Sequence, residues 1–244
     1  MTAVPTFRPA LGAPLRALLA AAALTLALAL LLAAARPAHA DAVDAEELVS
    51  EAQFTLKKLQ AHPDLGPYVA RYLKQAKAVL IVPQLLKGGF IVGGEGGTGV
   101  LLARGDGGQW SYPAFYSMGA ASFGLQIGGQ ASEVLLLIMT GQGLQAVIDD
   151  MVKIGGELDA AAGPYGAGVD AATTTNLNAD ILSYSVAKGA YIGANLEGSV
   201  IVPRESLNEA YYGRRLAPEA IVLRGEAANA QADALRQALS EAVR

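Results

Sequence analysis

Between Lys77 and Gly128 glycine recurs inside otherwise apolar sequence, beginning KAVLIVPQLLKGGFIVGGEGGTGVLLARG. Each interior glycine costs a helix about 1 kcal/mol, so this stretch is closed to helical structure. β-Forming residues separated by glycine indicate strands in close backbone contact, with bulges or tight turns between them. The spacing predicts strands near 78–83, 89–94, 98–104 and 109–115, with a hairpin turn at Gly105-Asp106-Gly107-Gly108. Further strands are expected over Ser122–Gln130 and Glu133–Thr140, the second apolar enough to be buried on both faces.

Helical spacing surrounds this β region. Asp44, with Glu47 three residues on, resembles a capping box. Ala45, Leu48, Val49, Ala52, Leu56 and Leu59 then form one apolar stripe that should pack on the domain, and Pro63 should end the helix. A second short helix is expected from Pro67, with Tyr68, Val69, Tyr72, Leu73 and Ala76 as its apolar side. A central helix is expected over Gly141–Ile154. Small-residue strands between Gly155 and Thr175 include a turn at Gly163-Pro164-Tyr165-Gly166. A hairpin of Ile181–Val186 with Ala190–Val202 should turn at Lys188-Gly189. Helices are expected over Arg204–Tyr212, Pro218–Leu223 and Ala227–Val243. The fold class is therefore α+β: a glycine-rich, mostly antiparallel β core with two N-terminal helices, one central helix and C-terminal helices.

The N-terminus follows other rules. Arg8 and Arg16 precede an uncharged apolar run from Ala17 to Ala35, followed by Arg36-Pro37-Ala38-His39-Ala40. That is the pattern of a secretory signal peptide, with cleavage expected near Ala40. The run is also long enough for an uncleaved anchor. The expected organisation is a signal peptide over 1–40 and one domain over 41–244, exported to the periplasm or envelope. The sequence has no cysteine, so the folded part relies on its core rather than on disulfides. All 22 acidic residues but only 15 of the 18 basic ones follow position 40, leaving seven net negative charges there. That balance argues against nucleic acid as a partner.

Catalytic and cofactor patterns are weak. Gly94-Glu95-Gly96-Gly97-Thr98-Gly99 matches G-x-G-x-x-G in letters, but a dinucleotide site needs a helix after it, and Val100-Leu101-Leu102 continues as strand. No nucleotide is expected. After position 40 there is one histidine, His62, and no cysteine, which leaves no Cys/His zinc site. Asp149 and Asp150 are adjacent on a helix and point apart, whereas Glu95 and Glu197 sit among glycines as possible buried acids. No cofactor and no enzymatic activity are expected.

One constellation stands out in the acidic chain. Residues 44–51 hold four acids and no cation, and residues 57–77 hold five cations and one acid. Phe54 lies nearly opposite the apolar stripe, beside Lys57 and Lys58, with Arg71, Lys74 and Lys77 following. An exposed ring flanked by cations suits a membrane interface, the ring below the headgroups and the ammoniums among phosphates. The competing reading is a solvated helix face with Phe54 packed on a neighbouring loop.

Several blocks in order resemble the SYLF domain family of lipid-binding proteins. They are Pro83 with Lys87-Gly88-Gly89-Phe90, Gly93-Gly94, Gly97 and Gly99; Trp110-Ser111 with Pro113-Ala114-Phe115; and Gly124-Leu125-Gln126-Ile127-Gly128. Ala162-Gly163-Pro164 continues the series, as do Asp180-Ile181-Leu182-Ser183-Tyr184-Ser185, Lys188-Gly189, Gly193 and Leu196-Glu197-Gly198. The resemblance implies a non-enzymatic lipid-binding module, with phosphoinositide binding through an N-terminal amphipathic helix, and sometimes actin association, in eukaryotic members. For an exported, acidic chain the expected partner becomes an anionic phospholipid or membrane surface, contacted by Phe54, Lys57, Lys58, Arg71, Lys74 and Lys77. The alternative is a periplasmic structural module with an envelope protein partner.

Overall fold

The computed structural model describes residues 38–89, 92–123, 128–164, 179–187, 190–191 and 196–244. The chain divides into two units, Met1–Ala40 and Asp41–Arg244, and the second carries the fold. The expected signal peptide lies almost wholly outside the described residues. So do Phe90, Leu125-Gln126-Ile127, the turn residues Tyr165-Gly166, Lys188-Gly189 and Gly193.

Two helices lead in: α1 (Ala38–Ala61) and α2 (Gly66–Leu73). The sheet begins with β1 (Ala78–Gly89), β2 (Val92–Ala103), β3 (Ala114–Phe123) and β4 (Gly128–Ile138). Then come α3 (Gly141–Asp149), β5 (Val152–Lys153), β6 (Ala160–Ala162), β7 (Ile181–Ala187), β8 (Ala190–Tyr191) and β9 (Val200–Pro203). The chain closes with α4 (Glu205–Tyr212), α5 (Pro218–Val222), a short 3-10 turn and α6 (Asp233–Ala242). The sheet order is β5-β9-β3-β2-β1-β4-β7-β6, with β8 on β7, and every pairing is antiparallel except β6 with β7. The fold is α+β.

Side-chain alternation divides the core. Val79, Ile81, Val100, Leu102, Leu135 and Leu137 face one layer, covered by the stripe Ala45, Val49, Ala52, Leu56 and Leu59 of α1, by α2 and by α6. Ala78, Leu80, Val82, Leu101, Val134 and Leu136 face the other, covered by Val147 and Ile148 of α3 and Ala220–Val222 of α5. A central sheet with helices on both sides needs apolar residues at both parities, which is why VLLLIM carries no polar alternation.

Several sequence expectations need correction. α1 starts at Ala38, so Asp44 lies inside the helix and is not its cap; the alanines around Asp41 favour helix and offer no stop. The four short strands expected over 78–115 are instead two twelve-residue strands and the start of β3. The expected break over residues 84–88 is paired strand, and the irregularity of β1 lies before it, a bulge where the register shifts between Ile81 and Gln84. Pro83 has no N–H for the ladder, and a central strand accommodates proline only at such an irregularity. The central helix stops at Asp149 because Asp150 is fully extended (φ −166, ψ −162) and leads into β5. The expected second hairpin is only the β7–β8 pairing; β9 crosses the sheet to lie between β3 and β5.

Two glycines of the G-x-G-x-x-G run are explained by that bulge. A Cβ on Gly97 would collide with the Gln84 carbonyl, and one on Gly99 with the Ile81 carbonyl and the Val82 side chain. The run is mid-strand β2, packed on the bulge of β1, and no helix follows it. The turn after it forms as expected, with Gly108 at φ +76, a conformation that favours glycine.

Candidate functional site

α1 and α2 place the predicted residues through one constraint: their apolar stripes are buried, so the opposite faces are outward. Phe54 is 69% exposed and does not pack into a neighbouring loop. Val43, 61% exposed, lies eleven residues earlier, which at 3.6 residues per turn is about 20° from the same line. Sequence reasoning missed Val43, although its spacing from Phe54 was available. An isolated exposed apolar residue needs no explanation, but two large ones on the outer line of one helix do.

The cations fall into two groups. Lys57 and Lys58 follow Phe54 within about one turn, both exposed. Lys58 is ion-paired, its Nζ 2.9 Å from Glu133 Oε2 of β4. The pair is half-exposed and ties α1 to the sheet, so Lys58 is the least available cation for a ligand. The second group gathers at the end of α2. Arg71 stacks 5.8 Å from the centroid of the Tyr72 ring. The Lys74 Nζ donates to the Arg244 carbonyl at 3.2 Å. Arg104, at the end of β2, donates from its side chain to the Lys74 carbonyl (2.8 Å) and from its backbone to the Lys77 carbonyl (2.8 Å). The Arg104 side chain therefore joins Lys74 and Lys77, and the Arg244 backbone lies against Lys74, from distant parts of the chain that only the tertiary fold brings together. Nothing in local sequence marks Arg104 as belonging there.

The acidic candidates separate. Glu95 is largely shielded and lies 3.9 Å from Lys87 across the β1–β2 hairpin, whereas Glu197 is exposed rather than buried. Asp149 accepts from Gln145 (2.5 Å) and Asp150 from the Met151 N–H (2.7 Å), two local roles on an exposed helix end. They line a cleft of about 510 Å³ with Glu205 and Glu219, and Glu219 is itself paired with Arg224 at 2.8 Å. Among the described residues no group of three or more His, Cys, Asp or Glu side chains is arranged to hold a metal ion. Among the same residues no helix is long and apolar enough to cross a membrane.

Residues 119–242 match the family described as Ysc84, Las17-binding protein actin regulator, also known by its SYLF domain. The chain belongs to this family. Similar proteins include the yeast (Saccharomyces cerevisiae) LAS seventeen-binding protein 3, 32% identical over 144 residues, 58% of this chain and 31% of that protein. Yeast Protein YSC84 is 31% identical over 152 residues, covering 61% of this chain and 32% of its own length. The human SH3 domain-containing YSC84-like protein 1 is 28% identical over 173 residues, 68% of this chain and half of that protein. The chain thus spans about a third to a half of the curated relatives it matches. The matched Ysc84 region runs from β3 to α6 and does not include the α1–α2 face.

Proposed function

We propose that this Ysc84-family chain is a non-enzymatic module that binds an anionic membrane surface in the bacterial envelope through the outer face of α1 and α2. The observation that carries the reading is Phe54, held in water at 69% exposure beside Lys57 and Lys58. Inserted below the headgroups, the ring would leave water while the ammoniums meet phosphates. Lys57, Arg71, Lys74 and Lys77 add electrostatic attraction at about 1 kcal/mol per cation near an anionic surface. Lys58 contributes less, because its Glu133 partner already neutralises it. Export of the domain after cleavage near Ala40 belongs to the same proposal and rests on the Arg8–Ala40 pattern.

Co-sedimentation of residues 41–244 with anionic vesicles tests it, in a form without the Ala17–Ala35 run, which would partition by itself. Binding at low salt that weakens steeply with added salt is expected. Replacing Lys57, Lys58, Arg71 and Lys74 with Glu should abolish it while the far-ultraviolet spectrum stays unchanged, since all four side chains are exposed. Binding that survives the four replacements refutes the site. The second reading, a protein-interaction module, is favoured by the name of one yeast relative, LAS seventeen-binding protein 3. Binding insensitive to salt, to a protein rather than to vesicles, supports that reading instead.

A further inference from the structure

The cleft beside Asp149 and Asp150 has two unlike kinds of lining. One is apolar: Ile148 at the end of α3, Val202 and Pro203 of β9, and Pro218 at the start of α5. Met151 belongs to it and stands 59% exposed, a large apolar side chain that the fold leaves in water. The other is acidic. Asp149, Asp150 and Glu205 are exposed, and none has a cation within ion-pair distance among the described residues, whereas Glu219 already meets Arg224. The amides that donate to Asp149 and Asp150 leave both charges in place. An apolar groove among uncompensated carboxylates fits an apolar side chain flanked by a cation.

The same chain displays such a side chain. Phe54 is 69% exposed, and Lys57, three residues on, is exposed and has no ion pair among the described residues. Glu51, three residues before Phe54, confines the basic flank to one side of the ring, so entry has a direction: the Lys57 end goes toward the carboxylates. α1 covers one core layer, whereas Ile148 of the cleft belongs to the other, so a chain cannot fill its own cleft.

We propose that Phe54 of one copy seats in the cleft of a second copy, against Met151, with Lys57 among the carboxylates, so that copies join head to tail. At about 510 Å³ the cleft has the size of sites that enclose a whole small ligand, which is ample for one ring and the methylenes beside it. The two faces are different surfaces, so each pair keeps one free Phe54 face and one free cleft. Association therefore continues to a ring or an open chain. Opposite charges meet only at the contact, while each copy carries seven net negative charges after position 40. That repulsion keeps the association weak, with a midpoint of roughly 0.01–1 mM. This use of Phe54 goes beyond the membrane reading and does not rest on it. Association is measured without vesicles, and vesicle binding does not involve the cleft, so the two fail separately.

Sedimentation velocity of the unit Asp41–Arg244, which contains both core layers, tests the proposal over concentrations up to about 1 mM. The parent should sediment faster as concentration rises. Phe54→Asp removes the inserted ring, and Met151→Lys sets a cation in the cleft against Lys57. Both positions are exposed, so melting temperatures should hold, and each variant alone should associate at least about tenfold more weakly. Mixed, the variants complement each other, because Phe54→Asp keeps an intact cleft and Met151→Lys an intact Phe54 face. The mixture should form a 1:1 pair that grows no further. Either variant associating as the parent does overturns the proposal; for Met151→Lys that result marks a two-fold contact between α1 faces. A mixture that forms no pair overturns it as well. So does a parent that stays monomeric at about 1 mM, which leaves the cleft for a basic segment of another protein.

Discussion

The glycines of residues 94–99 offer a test in which neighbouring positions of one run respond with opposite sign. In β2, a Cβ on Gly99 would meet the Ile81 carbonyl, lie 3.0 Å from the Ile81 carbonyl carbon and 2.8 Å from Val82 Cγ2. Two of those atoms are backbone of the central strand β1, which is paired on both sides and has nowhere to move. Gly99→Ala should therefore cost about 1–3 kcal/mol, the range for overpacking a fitted interior. On Gly96, the nearest heavy atom to the new Cβ is the Met118 carbonyl at 3.8 Å, an ordinary contact. Gly96→Ala should stabilise by about 0.4–1 kcal/mol, through the smaller conformational freedom of the unfolded chain. For a unit of this size each kcal/mol moves the melting temperature by about 2–4 °C. Gly99→Ala should melt roughly 2–12 °C lower and Gly96→Ala roughly 1–4 °C higher, measured by circular dichroism with a urea titration as a check. If the two variants shift in the same direction, or Gly99→Ala is neutral, the bulge-packing argument is wrong.

Other elements make comparable predictions. Asn208 is fully buried, and its Oδ1 accepts the Phe115 N–H at 2.9 Å; Asn208→Ala leaves that N–H unpaired and should lower stability by about 1–3 kcal/mol in a urea titration. Thr140 caps α3 by accepting the Gly143 N–H (2.9 Å) and donates to Asp180 (2.5 Å); Thr140→Ala should cost about 0.5–2 kcal/mol, seen as a lower urea midpoint. Burial raises the pKa of Tyr116, Tyr211 and Tyr212 above the ordinary value of about 10. Here the native state holds the protons more tightly than the unfolded chain, so their contribution is complete below about pH 10 and is lost as pH rises above it. Melting temperatures should fall steeply above about pH 10, with the phenolate absorbance of these three tyrosines appearing together with unfolding rather than before it.

The helical stripe of α1 and the apolar run of β4 were legible because periodicity is a local property, and burial follows from it once a face is apolar. The short strands read over 78–115 were not, because the glycines that look like breaks are held extended by hydrogen bonds from strands on either side. Local spacing carries no information about a neighbour supplied from elsewhere. The same limit applied to the site. Phe54, Lys57 and Lys58 were readable from helical geometry, whereas the Arg104 side chain and the Arg244 backbone meet Lys74 through contacts between residues 30 and 170 positions apart.

By itself the sequence determined the α+β class, the two-sided core and the acid-to-base switch along the first helix, since each follows from composition and period over a few turns. Only the tertiary structure decided that β9 crosses to the far side of the sheet, that Pro83 forces a bulge which Gly97 and Gly99 must accommodate, and that Phe54 stands in water. Those outcomes depend on which strands become neighbours, and that choice is made by the packing of the whole domain.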